Sequence, residues 1–172
     1  GVPALDLLMK NPDAALFVLE LSSFQLETTY SLKPQVATVL NVTPDHMDRY
    51  PHLADYQQAK QRVYQHCQVA VCNRDDSLTD CKQLESPRKL YFTRETPAQG
   101  EFGLRPQDSD VYLAYENQLL LSLRELPIKG KHYQANALAA LAIGYGFGLP
   151  FEPMLKVLRE FKGLPHRCQF VR

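Results

Sequence analysis

Three short apolar runs, at 14–21, 36–40 and 69–72, constrain the fold of this chain more than any other feature. Each is rich in Val, Leu or Ala and close to continuous, without the alternation of a half-solvated strand. A strand buried on both faces reads this way, and such strands belong to parallel sheets covered by helices. Between the second and third runs, Leu53, Tyr56, Val63 and Cys67 recur at helical spacing. Strands alternating with helices predict an α/β fold with a mostly parallel sheet flanked by helices. At 172 residues the chain is one domain or most of one.

The middle changes character. A short strand is expected at 89–93, then two strands within 110–123 around Glu116, Asn117 and Gln118. Together they predict a small antiparallel β insertion spanning about 88–127. The last third is helical: 133–147 is apolar almost all round, as in a buried helix, and 153–161 is amphipathic. Gly146, Gly148 and Pro150 are read as stop signals for the first of these helices. Gly163, Leu164 and Pro165 are read as a break, so residues 1–163 form the domain and 164–172 leave it.

Composition excludes several classes. With 45% hydrophobic and 22% charged residues, the chain is neither disordered, collagenous nor a coiled coil. The apolar run at 135–148 is too short and alanine-rich to span a bilayer, and no secretory signal is expected, since Gly1-Val2-Pro3 leads into neither a basic nor a long apolar stretch. Nineteen basic residues balance nineteen acidic ones, so no global field steers the chain to nucleic acid or membrane. The basic C-terminal stretch (Lys156, Arg159, Lys162, Arg167, Arg172) is either a phosphate site or a solvated helix face. Cysteines 67, 72, 81 and 168 form no C-x-x-C pair, and they are expected as reduced thiols of a cytosolic protein.

In open α/β sheets, ligands bind beyond the carboxyl ends of the strands. Those ends carry Glu20, the stretch from Asn41 to His46, and the stretch from Asn73 to Asp76. A carboxylate and an imidazole on one sheet edge can hold a divalent metal or act as an acid/base pair. Each also has a structural reading, with Glu20 capping the helix that begins near Ser22 and Asp45 capping a turn. Lys60 lies on the apolar stripe of its helix. It either snorkels along the surface or points at the site, where desolvation would favour a nucleophilic amine able to take up carbon dioxide as a carbamate. Asn136, in the first turn of the buried helix after His132, offers a donor and an acceptor that match the adenine edge, or serves as a capping amide. Arg167, in a stiff turn after Pro165, suits phosphate oxygens or a surface ion pair.

Taken together, Glu20-Leu-Ser-Ser-Phe-Gln-Leu-Glu27 and Leu40-Asn-Val-Thr-Pro-Asp-His-Met-Asp-Arg-Tyr50 resemble the Mur ligases of peptidoglycan synthesis, and within them the D-glutamate-adding branch. Ala59-Lys60, Asn136-Ala-Leu-Ala-Ala140 and Gly163-Leu-Pro-His-Arg167 extend the match across the chain. The resemblance implies an ADP-forming amide ligase that uses ATP to join D-glutamate to UDP-N-acetylmuramoyl-L-alanine through an acyl phosphate. It implies Glu20, His46 and a carbamylated Lys60 as ligands of two magnesium ions. It also places Ser22 and His46 beside the UDP-muramoyl substrate, Asn136 at adenine and Arg167 near the ATP phosphates. Many relatives carry H-N-x-x-N where this chain has His132-Tyr133-Gln134-Ala135-Asn136, so only Asn136 carries over.

The phosphate loop G-x-x-G-K-[ST] is absent. The chain is therefore expected to be a partial P-loop-type central ATP-binding domain, lacking its first strand and that loop and unable to turn over alone. The intact protein is expected to be a cytoplasmic monomer. The rivals are a folylpolyglutamate-synthase-type ligase, against which the Ser22-Ser23-Phe24-Gln25 stretch argues, and a non-catalytic nucleotide-binding domain.

Overall fold

In the computed structural model, which describes residues 2–81 and 88–164, one six-stranded sheet carries the architecture. The strands β1 (Val36–Val39), β2 (Val69–Asn73), β3 (Arg88–Phe92), β4 (Glu101–Gln107), β5 (Asp110–Tyr115) and β6 (Gln118–Ser122) lie side by side in chain order. β1 to β4 pair in parallel, while β4–β5 and β5–β6 are antiparallel. The expected α/β sheet is therefore present, with two amendments. Residues 88–92 join the parallel part, and the antiparallel hairpins extend the same sheet instead of forming a separate insertion. β3 and β4 share only two paired positions, at Tyr91 and Phe92, which makes this the joint between the two halves.

Among the described residues the α-helices are α1 (Ala4–Lys10), α2 (Ser23–Glu27), α3 (Leu53–Gln61), α4 (Lys131–Phe147) and α5 (Phe151–Glu160). Strand alternation sends side chains to both faces. Val69 and Val71 join Leu90, Phe92, Phe102, Leu113 and Leu121 against Leu138, Leu141 and Ala142 of α4 and Leu155 of α5. Ala37, Val39, Ala70 and Cys72 face the opposite way, onto Tyr56 and Ala59 of α3 and onto Tyr64. The sheet at β1 and β2 is thus covered on both sides, as their continuous apolar runs require.

The run at 14–21 corrects the reading of a buried first strand. Among the described residues it pairs with no strand, and Leu16, Val18 and Leu19 are exposed. α1 likewise has no buried residue. An apolar run becomes a strand only where a partner takes up its backbone hydrogen bonds.

Gly146 is not a stop signal but lies within α4, where an added Cβ would sit 3.1 Å from Val69, 3.3 Å from Leu90 and 3.4 Å from Val36. The helix ends at Gly148, whose φ of +93° supplies the left-handed cap. Cys72 and Cys81 form a disulfide, which corrects the expectation of reduced thiols; Cys67 is free and buried. Cys72 lies next to the end of β2 and Cys81 follows the single helical turn Ser77–Thr79, so a short reversal brings their Cα atoms to 6.4 Å. Among the described residues, no helix is long and apolar enough to cross a membrane.

Candidate functional site

The carboxyl ends of the parallel strands form a rim organised by polar contacts. Beyond β1, the Val42 N–H donates to Asp76 Oδ2 at 2.8 Å, and Asn73 Nδ2 donates to the Leu40 carbonyl at 3.0 Å. Asn73 ends β2 and Asp76 follows it, so one strand end fixes the loop that leaves its neighbour. That loop then reaches His46, which sits at a left-handed φ of +54°. Its carbonyl accepts from Arg49 N and Tyr50 N, at 3.0 and 3.1 Å, and its own N–H donates to Asp45 Oδ1 at 2.8 Å. Asp45 thus does cap the turn here, from its own side chain.

Ser22, and not Glu20, caps α2. Its hydroxyl accepts from Gln25 N at 3.2 Å while Gln25 Oε1 accepts from Ser22 N at 2.8 Å, a reciprocal capping box. Glu20 is left exposed two residues before this cap. α2 is held against α3 and the helical turn that follows it, with Leu26 buried and Arg62 Nε donating to the Leu26 carbonyl at 2.8 Å. That docking sets Phe24 against His46, with ring centroids 4.9 Å apart.

From the other side, α3 presents Tyr56 edge-on to His46 at 6.2 Å. Lys60, one turn further along α3 and half-buried, places Nζ 5.0 Å over the same Tyr56 ring. Thus His46 and Lys60 meet a shared aromatic cluster of Phe24, Tyr50 and Tyr56, while Ser22 caps the helix that carries Phe24. Arg49 closes it, pairing with Glu27 of α2 at 2.5 Å, and this guanidinium holds the Glu27 carboxyl below the usual range. The aromatic residues and the Arg49–Glu27 pair escaped sequence reasoning, although Phe24, Glu27, Arg49 and Tyr50 all lie inside the two stretches singled out there.

The donor set is compatible with a hard divalent cation in part. Glu20 offers an exposed carboxylate, and the His46 side chain is 45% exposed, with Nε2 3.6 Å from an Asp45 oxygen. A Lys60 ammonium would repel a cation, whereas its carbamate would add an oxygen ligand. No group of three or more His, Cys, Asp or Glu side chains able to hold a metal occurs among the described residues.

A second feature opens on the same rim. Gly146, near the end of α4, lies against Val36 and Val69 at the starts of β1 and β2, so α4 runs antiparallel to them and its N-terminus emerges at their carboxyl ends. There Leu126, Ile128, Tyr133, Asn136, Leu158 and Phe161 help to line an apolar pocket of about 920 Å³. Asn136 lies in the second turn of α4, not the first, because the helix begins at Lys131 with Gly130 as its cap. It is exposed and caps nothing. Arg167, expected at the phosphates, lies outside the described residues. Of the basic stretch, Arg159 is an ion-paired surface residue, 2.8 Å from Glu125.

Comparison with known proteins gives a consistent outcome. The family model described as the Mur ligase middle domain matches residues 1–144. A UDP-N-acetylmuramoylalanine--D-glutamate ligase of Pseudomonas putida is 54% identical over the whole chain, which spans 38% of that relative. The ligase of the same name from Nitrosococcus oceani is 50% identical over 99% of the chain, again with 38% of the relative covered. Among solved structures, a UDP-N-acetylmuramoyl-L-alanyl-D-glutamate--2,6-diaminopimelate ligase superposes with a TM-score of 0.70 at 23% identity, over 88% of this chain and 34% of its own. A UDP-N-acetylmuramoylalanyl-D-glutamyl-2,6-diaminopimelate--D-alanyl-D-alanyl ligase from Acinetobacter baumannii gives 0.63 at 24% identity, over 81% and 32%. These last two carry the fold alone.

Proposed function

The chain belongs to the Mur ligase middle domain family, and from that premise we propose that the protein containing it is the ATP-dependent ligase that adds D-glutamate to UDP-N-acetylmuramoyl-L-alanine. One observation carries the reading: relatives bearing that activity in their names are 50–54% identical along essentially the full chain. The chain spans little more than a third of their length, so the activity is proposed for the intact protein.

In this reading ATP transfers its γ-phosphoryl group to the carboxylate of the muramoyl-alanine and leaves as ADP. The amine of D-glutamate attacks the acyl phosphate, and the tetrahedral adduct expels phosphate to leave the amide. The first step brings two anions together, and magnesium would offset their charge. Glu20, His46 and the Lys60 carbamate would hold the metal. The carbamate forms when the neutral Lys60 amine attacks carbon dioxide and releases one proton. Ser22 and His46 would lie beside the UDP-muramoyl substrate. The apolar pocket beside α4 would take adenine, with the Asn136 amide meeting its polar edge, and Arg167 would approach the phosphates. A cytoplasmic location suits a substrate carried on UDP.

The test is Lys60→Ala in the full-length enzyme. Ligation is expected to be lost and to return in part when short carboxylic acids are supplied. Unchanged activity removes Lys60, and the carbamate with it, from the mechanism.

A further inference from the structure

We propose that Phe24 is a positioning residue for His46, locked in place by the Arg49–Glu27 ion pair, so that the imidazole is held at a fixed distance from Lys60. The inference rests on the reading of His46 given above and adds to it how this chain aims that ring.

The backbone of His46 is fixed by three hydrogen bonds in a conformation that L residues rarely adopt. Those bonds leave the imidazole free to rotate about its side-chain torsions. Phe24 touches it tilted at 56°, Tyr56 meets it at 75°, and only Asp45 offers it an ion-pair contact among the described residues. Phe24 is 37% exposed, so burial alone does not account for its place.

What holds Phe24 is a clasp between two segments. The Arg49 guanidinium, three residues beyond His46, lies 5.0 Å from the Phe24 ring centre while bonding to Glu27, one turn along the same helix. The Tyr50 ring stacks parallel to Phe24 at 6.0 Å and meets Tyr56 at 5.2 Å. Tyr56 in turn carries Lys60. The chain of contacts Glu27, Arg49, Phe24, His46, Tyr56, Lys60 is continuous, and it spans α2, the loop beyond β1, and α3. In this arrangement Phe24 and Arg49 act through His46.

The experiment uses the full-length enzyme. Phe24→Leu removes the ring and keeps the bulk, and it is expected to lower kcat about 10- to 100-fold with KM for ATP within about twofold. Phe24→Tyr, which keeps the ring, is expected to restore most of that loss. The His46 imidazole C–H resonances, which sense the Phe24 ring current, are expected to shift in Phe24→Leu and to stay in place in Phe24→Tyr. Unchanged kcat or unchanged imidazole resonances in Phe24→Leu overturn the proposal. Should that variant not fold, Glu27→Gln and Arg49→Met loosen the same ring from outside, and the same resonances decide. Loss of ligation in His46→Ala with normal kcat in Phe24→Leu sinks the positioning role alone. Normal ligation in His46→Ala removes the functional reading of His46, while the resonances still report whether Phe24 holds the ring.

Discussion

The two faces of the sheet are built on different physics. The face under α4 is dry and aliphatic-aromatic: Phe102, Leu113 and Leu138 have no exposed surface, and Leu121 and Leu141 are almost as buried. The face under α3 is smaller in side chains and richer in directional contacts. Tyr64 is buried there and bridges two strands, accepting from Val39 N at 2.9 Å and donating to the Val71 carbonyl at 3.0 Å. Burial pushes the Tyr64 hydroxyl well above the ordinary phenol range, so it remains a donor. The disulfide lies on this face too. Apolar packing is non-directional and tolerates small shifts in position, whereas a hydrogen bond fixes distance and angle. The face that must aim side chains at a rim is the one held by directional bonds.

If this contrast is right, the largest loss comes from the dry face. Phe102→Ala is expected to destabilise the protein by about 3–5 kcal/mol in urea unfolding. A loss below about 1 kcal/mol would mean that the α4 face is not the stabilising core. Next comes the disulfide, which closes a loop with a sequence separation of 9. Reduction is expected to cost about 2–3 kcal/mol, read as a lower melting temperature in dithiothreitol. Counting four free thiols in the unreduced, denatured protein would remove the bond altogether.

Tyr64→Phe sharpens the comparison further. It leaves the Val39 N–H and the Val71 carbonyl without their shared partner, at an expected cost of about 1–3 kcal/mol with little change in the urea m-value. A neutral effect would mean that packing, not the bridge, holds the α3 face.

The smallest effect lies at the antiparallel end of the sheet. The Asp110 carboxyl is held below its usual range, first by the Ser122 hydroxyl at 2.6 Å and then by Val111 N–H. A depressed folded-state pKa stabilises above the unfolded value and is lost as pH falls. Acid titration of the melting temperature below about pH 4 is therefore expected to be shallower in Asp110→Asn than in the native protein. Parallel curves would show that Asp110 adds nothing.

Much of this was legible in residue patterns. The runs at 36–40 and 69–72 became β1 and β2 because their continuity matched burial on both faces, and the spacing of Leu53 and Tyr56 became α3. Strand β4 was not visible, since Gly103 and Pro106 break the expected β signature. Its Gly103 is required by contact: an added Cβ would sit 2.5 Å from the Glu95 carbonyl oxygen. In the candidate site, Glu20, His46 and Lys60 could be picked out by type and position, and Ser22 through the family resemblance. The ring contacts that join them could not, because they link residues 24, 46, 50 and 56 across three elements.

Sequence alone thus determined the fold class, the family and the residues worth suspecting, because periodicity and short motifs are local properties of the chain. Tertiary structure alone decided that Cys72 meets Cys81 and that Phe24 faces His46. Each of those outcomes depends on which surfaces remain available once the sheet has formed.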